Sequence, residues 1–162
     1  MLPHLDAALN LARWLLGNQQ DAEDAVQDSY VRALTYFDSF HGEDGRAWLL
    51  AIVRHTCYAW VHKNRREPVV DTARELEFAA AAAPDPEELH LEEASRIEIR
   101  RLLESLPEEF REVLVLRDME GMSYKEIARV VEAPIGTVMS RLARARRRLY
   151  DRLAAPSRKE TA

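Results

Sequence analysis

The sequence predicts an all-α fold made of two small helical domains joined by a flexible acidic linker. Apolar residues recur at helical spacing through most of the chain, and Ala, Leu, Arg and Glu are frequent while glycines number only five. The middle differs, with three prolines and a run of five alanines at 79–83. Such a stretch is too long for an ordinary loop. The predicted domains therefore span 1–67 and 95–156, with a linker at 68–94 and a tail at 157–162.

Charge is distributed unevenly along the chain. The formal net charge is −5, divided as −1 over residues 1–66, −8 over 67–95 and +4 over 96–162. The basic C-terminal part is compatible with nucleic-acid binding despite the acidic total. The single cysteine, Cys57, excludes an internal disulfide, and neither a signal peptide nor a membrane-spanning run is recognisable. These features predict a cytoplasmic protein without membrane contact of its own.

The N-terminal domain begins with two predicted helices. The first runs from Leu5 to Leu16 and stops at Gly17. Its apolar stripe is predicted to hold Leu5, Leu9, Ala12 and Leu16. The second begins at Asp21 and keeps a buried stripe as far as Phe37. Its opposite face is polar, and is either a binding surface or an ordinary solvated face: Asp21, Asp24, Gln27, Asp28 and Arg32.

A glycine-containing loop and a long helix complete this domain. On the loop, Phe40 and His41 precede Gly42, and their rings either stack on unpaired bases or, for Phe40, plug the core beneath. The helix spans 46–66, and its non-core side mixes basic and aromatic residues that suit a nucleic-acid backbone: Arg54, His55, Tyr58, His62, Lys63, Arg65 and Arg66. The spacing of its His and Cys residues does not favour a metal site, so none is predicted.

The most informative stretch is 123–148, which predicts a helix-turn-helix. Ser123 and Glu126 have the spacing of a capping box, and Pro134 suits the turn or the start of the second helix. Val138, Leu142 and Ala145 mark the buried side of that second helix. Its other side carries hydroxyls and guanidinium groups that suit phosphates and guanine edges. The competing interpretation is a helical hairpin with a solvated arginine face.

These motifs resemble those of the extracytoplasmic-function (ECF) class of bacterial sigma factors, the two-domain initiation factors of RNA polymerase. DAEDAVQDSYVRA, followed by WLLAIVR after Phe40, is similar to the first domain of that family. Two further segments are similar to the second domain of that family: LPEEFREVLVLRDMEGMSYKEIA and APIGTVMSRLARARRRL. The motif of the second domain is long and specific, whereas that of the first domain is looser. The resemblance implies no catalytic residues and no cofactor. It implies core RNA polymerase, promoter DNA and an anti-sigma factor as partners.

The resemblance also implies roles for individual positions. The polar face of the second helix would bind a coiled coil of the largest polymerase subunit, and the flap region would be a further polymerase contact. The −10 element would be bound by Phe40, His41, Gly42, Arg54, His55, Tyr58, Lys63, Arg65 and Arg66. The −35 element would be bound by Pro134, Gly136, Thr137, Ser140, Arg141, Arg144, Arg147 and Arg148.

Three positions depart from the family pattern, and three alternatives stay open. Family members often have Asn at the position of His55 and Asp at that of Ala59, and these two departures bear on −10 preference. Lys or Arg is common at the position of Met139, which removes one phosphate contact and is expected to weaken the salt dependence of binding. A stand-alone helix-turn-helix regulator is the main alternative, although the sequence lacks an obvious apolar face for dimerisation. A polymerase-binding adaptor that does not touch DNA is another. An enzyme is the third, and no catalytic motif supports it.

Overall fold

The fold is all-α in the computed structural model, as the sequence predicts. The structure describes residues 2–42, 44–64 and 89–154. Short 3-10 turns occupy Leu2–His4 and Phe37–Ser39. The helices of the described residues are α1 (Leu5–Leu16), α2 (Gln19–Thr35), α3 (Gly45–Asn64), α4 (Leu89–Glu104), α5 (Glu108–Leu114), α6 (Tyr124–Val131) and α7 (Ile135–Ala154). We call α1–α3 the N-terminal segment and α4–α7 the C-terminal segment. Across the described ranges, no helix has the length and apolar run needed to cross a membrane.

The predicted end of α1 is confirmed, and its predicted apolar stripe is right only in part. Gly17 ends the helix with φ of +72°, a conformation that glycine adopts without strain. Of the predicted stripe, Ala12 is buried and Leu9 and Leu16 are half-buried against the core, but Leu5 is 37% exposed. Because α2 and α3 both pack on α1, the buried side is wider than predicted and includes further residues: Ala8, Leu11 and Leu15.

The start and the end of α2 differ from the prediction. The helix begins at Gln19 because the side chain of Asn18 accepts hydrogen bonds from the amides of Gln20 and Asp21, at 2.8 and 3.3 Å. It ends at Thr35, and Phe37 lies in the following 3-10 turn with 53% of its surface exposed. Phe37 is therefore not part of the core, contrary to the prediction.

Helix α3 forms the centre of the N-terminal segment. Its first turn is held by Asp44, whose carboxylate accepts a hydrogen bond from the amide of Ala47 at 3.0 Å. Leu49, Val53 and Thr56 are buried. Residues 65–88, which include Arg65, Arg66 and most of the predicted linker, lie outside the described residues.

The first helix of the C-terminal segment, α4, starts at Leu89, whereas the sequence predicts a helix start at Ser95. After α5, the chain continues as a π-helical turn over Val115–Met119, and Gly121 then takes φ of +65°. This turn keeps Val115 and Leu116 buried while it redirects the chain toward the helix-turn-helix.

The two segments pack against each other. Helix α3 packs on α6, helix α1 packs on α5, and buried residues from both segments form one continuous hydrophobic cluster. Arg111 links them through its half-buried guanidinium, which donates to the backbone carbonyls of Leu103, Glu104 and Leu106 at 2.7–2.9 Å and to that of Trp14 in α1 at 3.0 Å. The consequence is that surfaces of the N-terminal segment face the C-terminal segment directly.

Candidate nucleic-acid interface

The helix-turn-helix forms through the local signals that predicted it. The Ser123 hydroxyl accepts from the amide of Glu126 at 3.1 Å, and the Glu126 carboxylate accepts from the amide of Ser123 at 3.2 Å, so the predicted capping box is present. Helix α6 ends as Glu132 takes φ of +54°. The carbonyl of Pro134 then accepts from the amides of Thr137 and Val138 at 3.0 and 3.1 Å, which starts α7.

Helix α7 has one buried side and one basic side. Val138, Leu142 and Ala145 are buried, as predicted. Thr137 and Arg141 are half-buried. The remaining residues of the predicted −35 set are exposed: Pro134, Gly136, Ser140, Arg144, Arg147 and Arg148. This side of α7 can therefore meet duplex DNA while the two segments are packed together.

The loop residues of the predicted −10 set are only partly available. Phe40 is half-buried against Trp48, with ring centroids 4.9 Å apart and planes tilted by 37°. A side chain at Gly42 would come within 3.2 Å of the Phe40 ring, so glycine permits this packing. His41 and Gly42 are exposed, as is Lys63 at the end of α3. Phe40 thus packs on Trp48, which in turn packs against the core, whereas His41 and Gly42 are exposed.

The strongest polar contact between the segments involves two residues of the predicted −10 set. Arg54 donates from Nε and Nη2 to the two carboxylate oxygens of Glu112, at 2.7 and 3.1 Å, and the Tyr58 hydroxyl donates to Glu112 Oε2 at 3.0 Å. The Arg54 guanidinium also lies 4.6 Å from the centre of the Tyr58 ring. The side chain of Glu112 is fully buried, and that of Arg54 is 18% exposed.

This contact changes the acid–base properties of its donors. Burial acts to lower the pKa of Arg54, but the hydrogen bonds and negative charge of Glu112 outweigh it, and that pKa is raised. Burial, and then the charge of Glu112, raises the pKa of Tyr58 above its ordinary value. Both groups therefore stay protonated and keep donating to the carboxylate throughout the neutral range.

Two more exposed ion pairs also join the segments, in addition to the Arg54–Glu112 contact. His55 Nε2 lies 3.0 Å from Glu132 Oε1, and Arg46 Nη2 lies 3.1 Å from Glu126 Oε2. The hydrogen bond and charge of His55 lower the pKa of Glu132. Burial acts to raise the pKa of Glu126, but hydrogen bonds from Arg46 and Ser123 outweigh it, and that pKa is lowered.

The predicted polymerase-binding face on α2 is available to a partner. Asp24, Gln27 and Arg32 are exposed, whereas Asp21 and Asp28 are half-buried. Arg32 and Asp28 form an exposed ion pair at 3.3 Å, one helical turn apart. Beside this face, an open apolar cavity of about 420 Å³ lies between α1 and α2, lined by Leu5, Leu9, Glu23, Val26, Gln27 and Tyr30.

The sequence analysis did not predict two structural features, the α1–α2 cavity and the buried Glu112. The cavity was missed because Leu5 and Leu9 were assigned to the core. Glu112 was missed because an acid at one position of an amphipathic helix is usually solvated; its place between Phe110 and Val113, both buried, was the available signal.

The side chains of the described residues do not form a metal cluster, and the cysteine is buried. No group of three or more His, Cys, Asp or Glu side chains in the described ranges could hold a metal ion. Burial raises the pKa of the Cys57 thiol to about 12. A thiol in this state has little nucleophilic thiolate at neutral pH.

Comparison with known proteins places both segments in one family. The family model for Sigma-70 region 2 matches residues 2–67, and that for Sigma-70, region 4 matches residues 96–149. ECF RNA polymerase sigma factor SigE of Mycolicibacterium smegmatis is 34% identical over 154 residues, covering 95% of this chain and 60% of the relative. The ECF RNA polymerase sigma-E factor of Salmonella typhimurium is 39% identical over 134 residues, covering 78% of this chain and 70% of the relative. The chain therefore belongs to the ECF RNA polymerase sigma factor family.

Solved structures agree with this assignment. The sigma factor RpoE from Bartonella quintana, in complex with the anti-sigma factor NepR, matches with a TM-score of 0.74 at 29% identity, covering 95% of this chain and 94% of that one. CnrH, in complex with the cytosolic domain of CnrY, matches with a TM-score of 0.64 at 29% identity, covering 94% and 84%. Each superposition includes both segments of this chain.

Proposed function

We propose that this protein is a sigma factor that brings core RNA polymerase to promoters and directs initiation there. The observation that carries the proposal is the pairing, in one chain, of a Sigma-70 region 2 match with a Sigma-70, region 4 match. The exposed basic side of α7 supports the same function, because a protein that reads duplex DNA needs such a side on its second helix.

In this proposal the −35 element is read as duplex by α7. Thr137 and Ser140 lie near the N-terminal end of that helix, where a helix-turn-helix contacts base edges. Arg144, Arg147 and Arg148 follow on the exposed side, where their guanidinium groups suit phosphates. The exposed Met139 cannot supply a phosphate contact, so we expect weaker salt dependence than for a cationic residue there.

The −10 element would be captured as a single strand by the loop after α2 and by α3. His41 and Lys63 are exposed, and Arg54 and Tyr58 become available if the C-terminal segment moves away. Aromatic and cationic groups together bind unpaired strands through stacking and charge. Stacking on these groups would offset the cost of unpairing the bases, roughly a few kcal/mol.

The proposed partners are core RNA polymerase and an anti-sigma factor, and the proposed place of action is the cytoplasm, where promoters are transcribed. The polar face of α2 would contact the largest polymerase subunit, and the flap region would be contacted as well. An anti-sigma partner is supported by the matched structure of RpoE, which is in complex with the anti-sigma factor NepR.

Selection of DNA by the holoenzyme tests this function. Core polymerase mixed with the protein would be incubated with a random duplex library, and the bound fragments sequenced. We expect two enriched blocks at a fixed spacing. A stand-alone regulator would enrich the same DNA whether or not polymerase is present, and an adaptor would enrich none.

A charge-reversal variant tests whether α7 binds the upstream of the two enriched sequence blocks. Arg141→Glu with Arg144→Glu should remove the enrichment of the upstream block while polymerase binding is retained. Arg101→Glu is the matched control, because Arg101 is exposed on α4 and belongs to neither predicted DNA surface. An upstream block that survives the double reversal would contradict the assignment.

A further inference from the structure

With the two segments packed together, the proposed −10 surface on α3 and the proposed −35 surface on α7 differ in how far they are covered. On α3, Arg54 and Tyr58 are bound to Glu112, and His55 is bound to Glu132. On α7, Ser140, Arg144 and Arg147 are exposed, and the Arg148 guanidinium lies 4.7 Å from the centre of the Phe110 ring in the same segment. Among the described residues, the α3 surface is therefore held by the other segment, whereas most of the α7 surface is exposed.

The Glu112 carboxylate resembles a DNA phosphate in charge and in the two oxygens that it presents to Arg54. An arginine fork binds two oxygens of a carboxylate or of a phosphate in the same bidentate way, and Arg54 meets both oxygens of Glu112. A phosphate cannot reach the same fork while the carboxylate is there. The Glu112 carboxylate is also fully buried, so its hydrogen bonds lie in a less polar environment than water and are stronger there.

We propose that Glu112 is an internal phosphate mimic that closes the −10 surface of the free protein while leaving the −35 surface open. This inference rests on the proposed function, since it takes Arg54 and Tyr58 as part of the −10 surface. Binding of the −10 strand then requires the segments to separate, and the apparent affinity falls by the fraction of molecules that are open. The free protein reads the duplex element first and gains the single-strand element only after opening.

Strand binding by the full-length protein tests the proposal. The probe is a labelled single strand carrying the downstream block recovered by holoenzyme selection. We expect Glu112→Gln to bind it about tenfold more tightly than the parent protein, because the neutral amide holds Arg54 less strongly. Glu109→Gln is the control; it makes the same charge change at an exposed position of α5 and should leave binding unchanged. Binding of an upstream-block duplex should be the same for all three proteins.

A second measurement does not depend on the folding of Glu112→Gln. His55→Cys with Glu132→Cys places two thiols at an exposed contact between the segments, where a short bismaleimide can join them, while Cys57 is buried. The cross-linked protein should lose strand binding and keep duplex binding relative to the same variant before cross-linking. Equal strand binding before and after cross-linking would overturn the proposal.

Two outcomes separate failure of this inference from failure of the function. If Arg54→Ala weakens strand binding but Glu112→Gln does not strengthen it, the phosphate mimic is wrong and the sigma function stands. If selection returns no downstream block and Arg54→Ala has no effect on any strand, the proposed function fails and the inference fails with it.

Discussion

The buried carboxylate of Glu112 needs hydrogen-bond donors in place of water. A carboxylate removed from water is strongly destabilising unless donors replace its hydration. Glu112 has three such hydrogen bonds, two from Arg54 and one from Tyr58, and all of them come from the other segment. While Glu112 is buried, its charge is therefore satisfied by donors from the other segment.

Arg111 provides the residue-scale prediction. Its guanidinium donates to four carbonyls in two segments, and burial lowers its pKa. Arg111→Met should lower the free energy of unfolding by about 3 kcal/mol, because the carbonyls lose charged donors. Urea unfolding measures this. Arg32→Met, which breaks an exposed ion pair, should change it by less than about 1 kcal/mol. Equal effects of the two variants would contradict the role given to Arg111.

At the scale of single helices, features that depend on a few neighbouring residues were the most predictable. The Gly17 stop and the Ser123–Glu126 capping box were predicted for this reason. The Asn18 cap was missed, although it is equally local. The buried side of α1 was predicted only in part, since its extent depends on contacts with α2 and α3, which the sequence pattern of α1 does not contain.

The capping box gives the prediction at this scale. Ser123→Ala should lower the free energy of unfolding by about 1 kcal/mol, because the amide of Glu126 loses its acceptor at the start of α6. Amide hydrogen exchange should become faster first in α6. Thr35→Ala removes a hydroxyl from an exposed helix end and should change stability by less than about 0.5 kcal/mol. Unchanged exchange in α6 would count against the cap.

For the whole molecule, the packing of the two segments was not predictable from the sequence. Its polar contacts join residues far apart in the chain, such as Arg46 with Glu126 and Asn10 with Glu120. Periodicity indicates where a helix has an apolar side, but not which apolar or charged residues will meet across an interface. The all-α class and the helix-turn-helix, by contrast, follow from local pattern and are confirmed.

The contacts between segments predict a dependence on pH. Glu126 and Glu132 have lowered pKa values in the folded protein, so their contribution to stability is present above the ordinary value of 4.5 and is lost as the pH falls through the lowered values. Energy transfer between dyes at Gln27→Cys and Ala143→Cys should therefore decrease on acidification below about pH 4.5. Glu126→Gln with Glu132→Gln should reduce that change, and an identical acid response in the variant would contradict the assignment.

The most direct test of the account is run-off transcription with core RNA polymerase, with and without this protein, on a pool of randomised promoters. We expect transcripts that appear only with the protein and come from templates sharing two spaced elements. A polymerase complex that yields no transcripts would contradict the initiation role and point to an adaptor. The absence of both transcripts and complex would contradict the sigma-factor account as a whole.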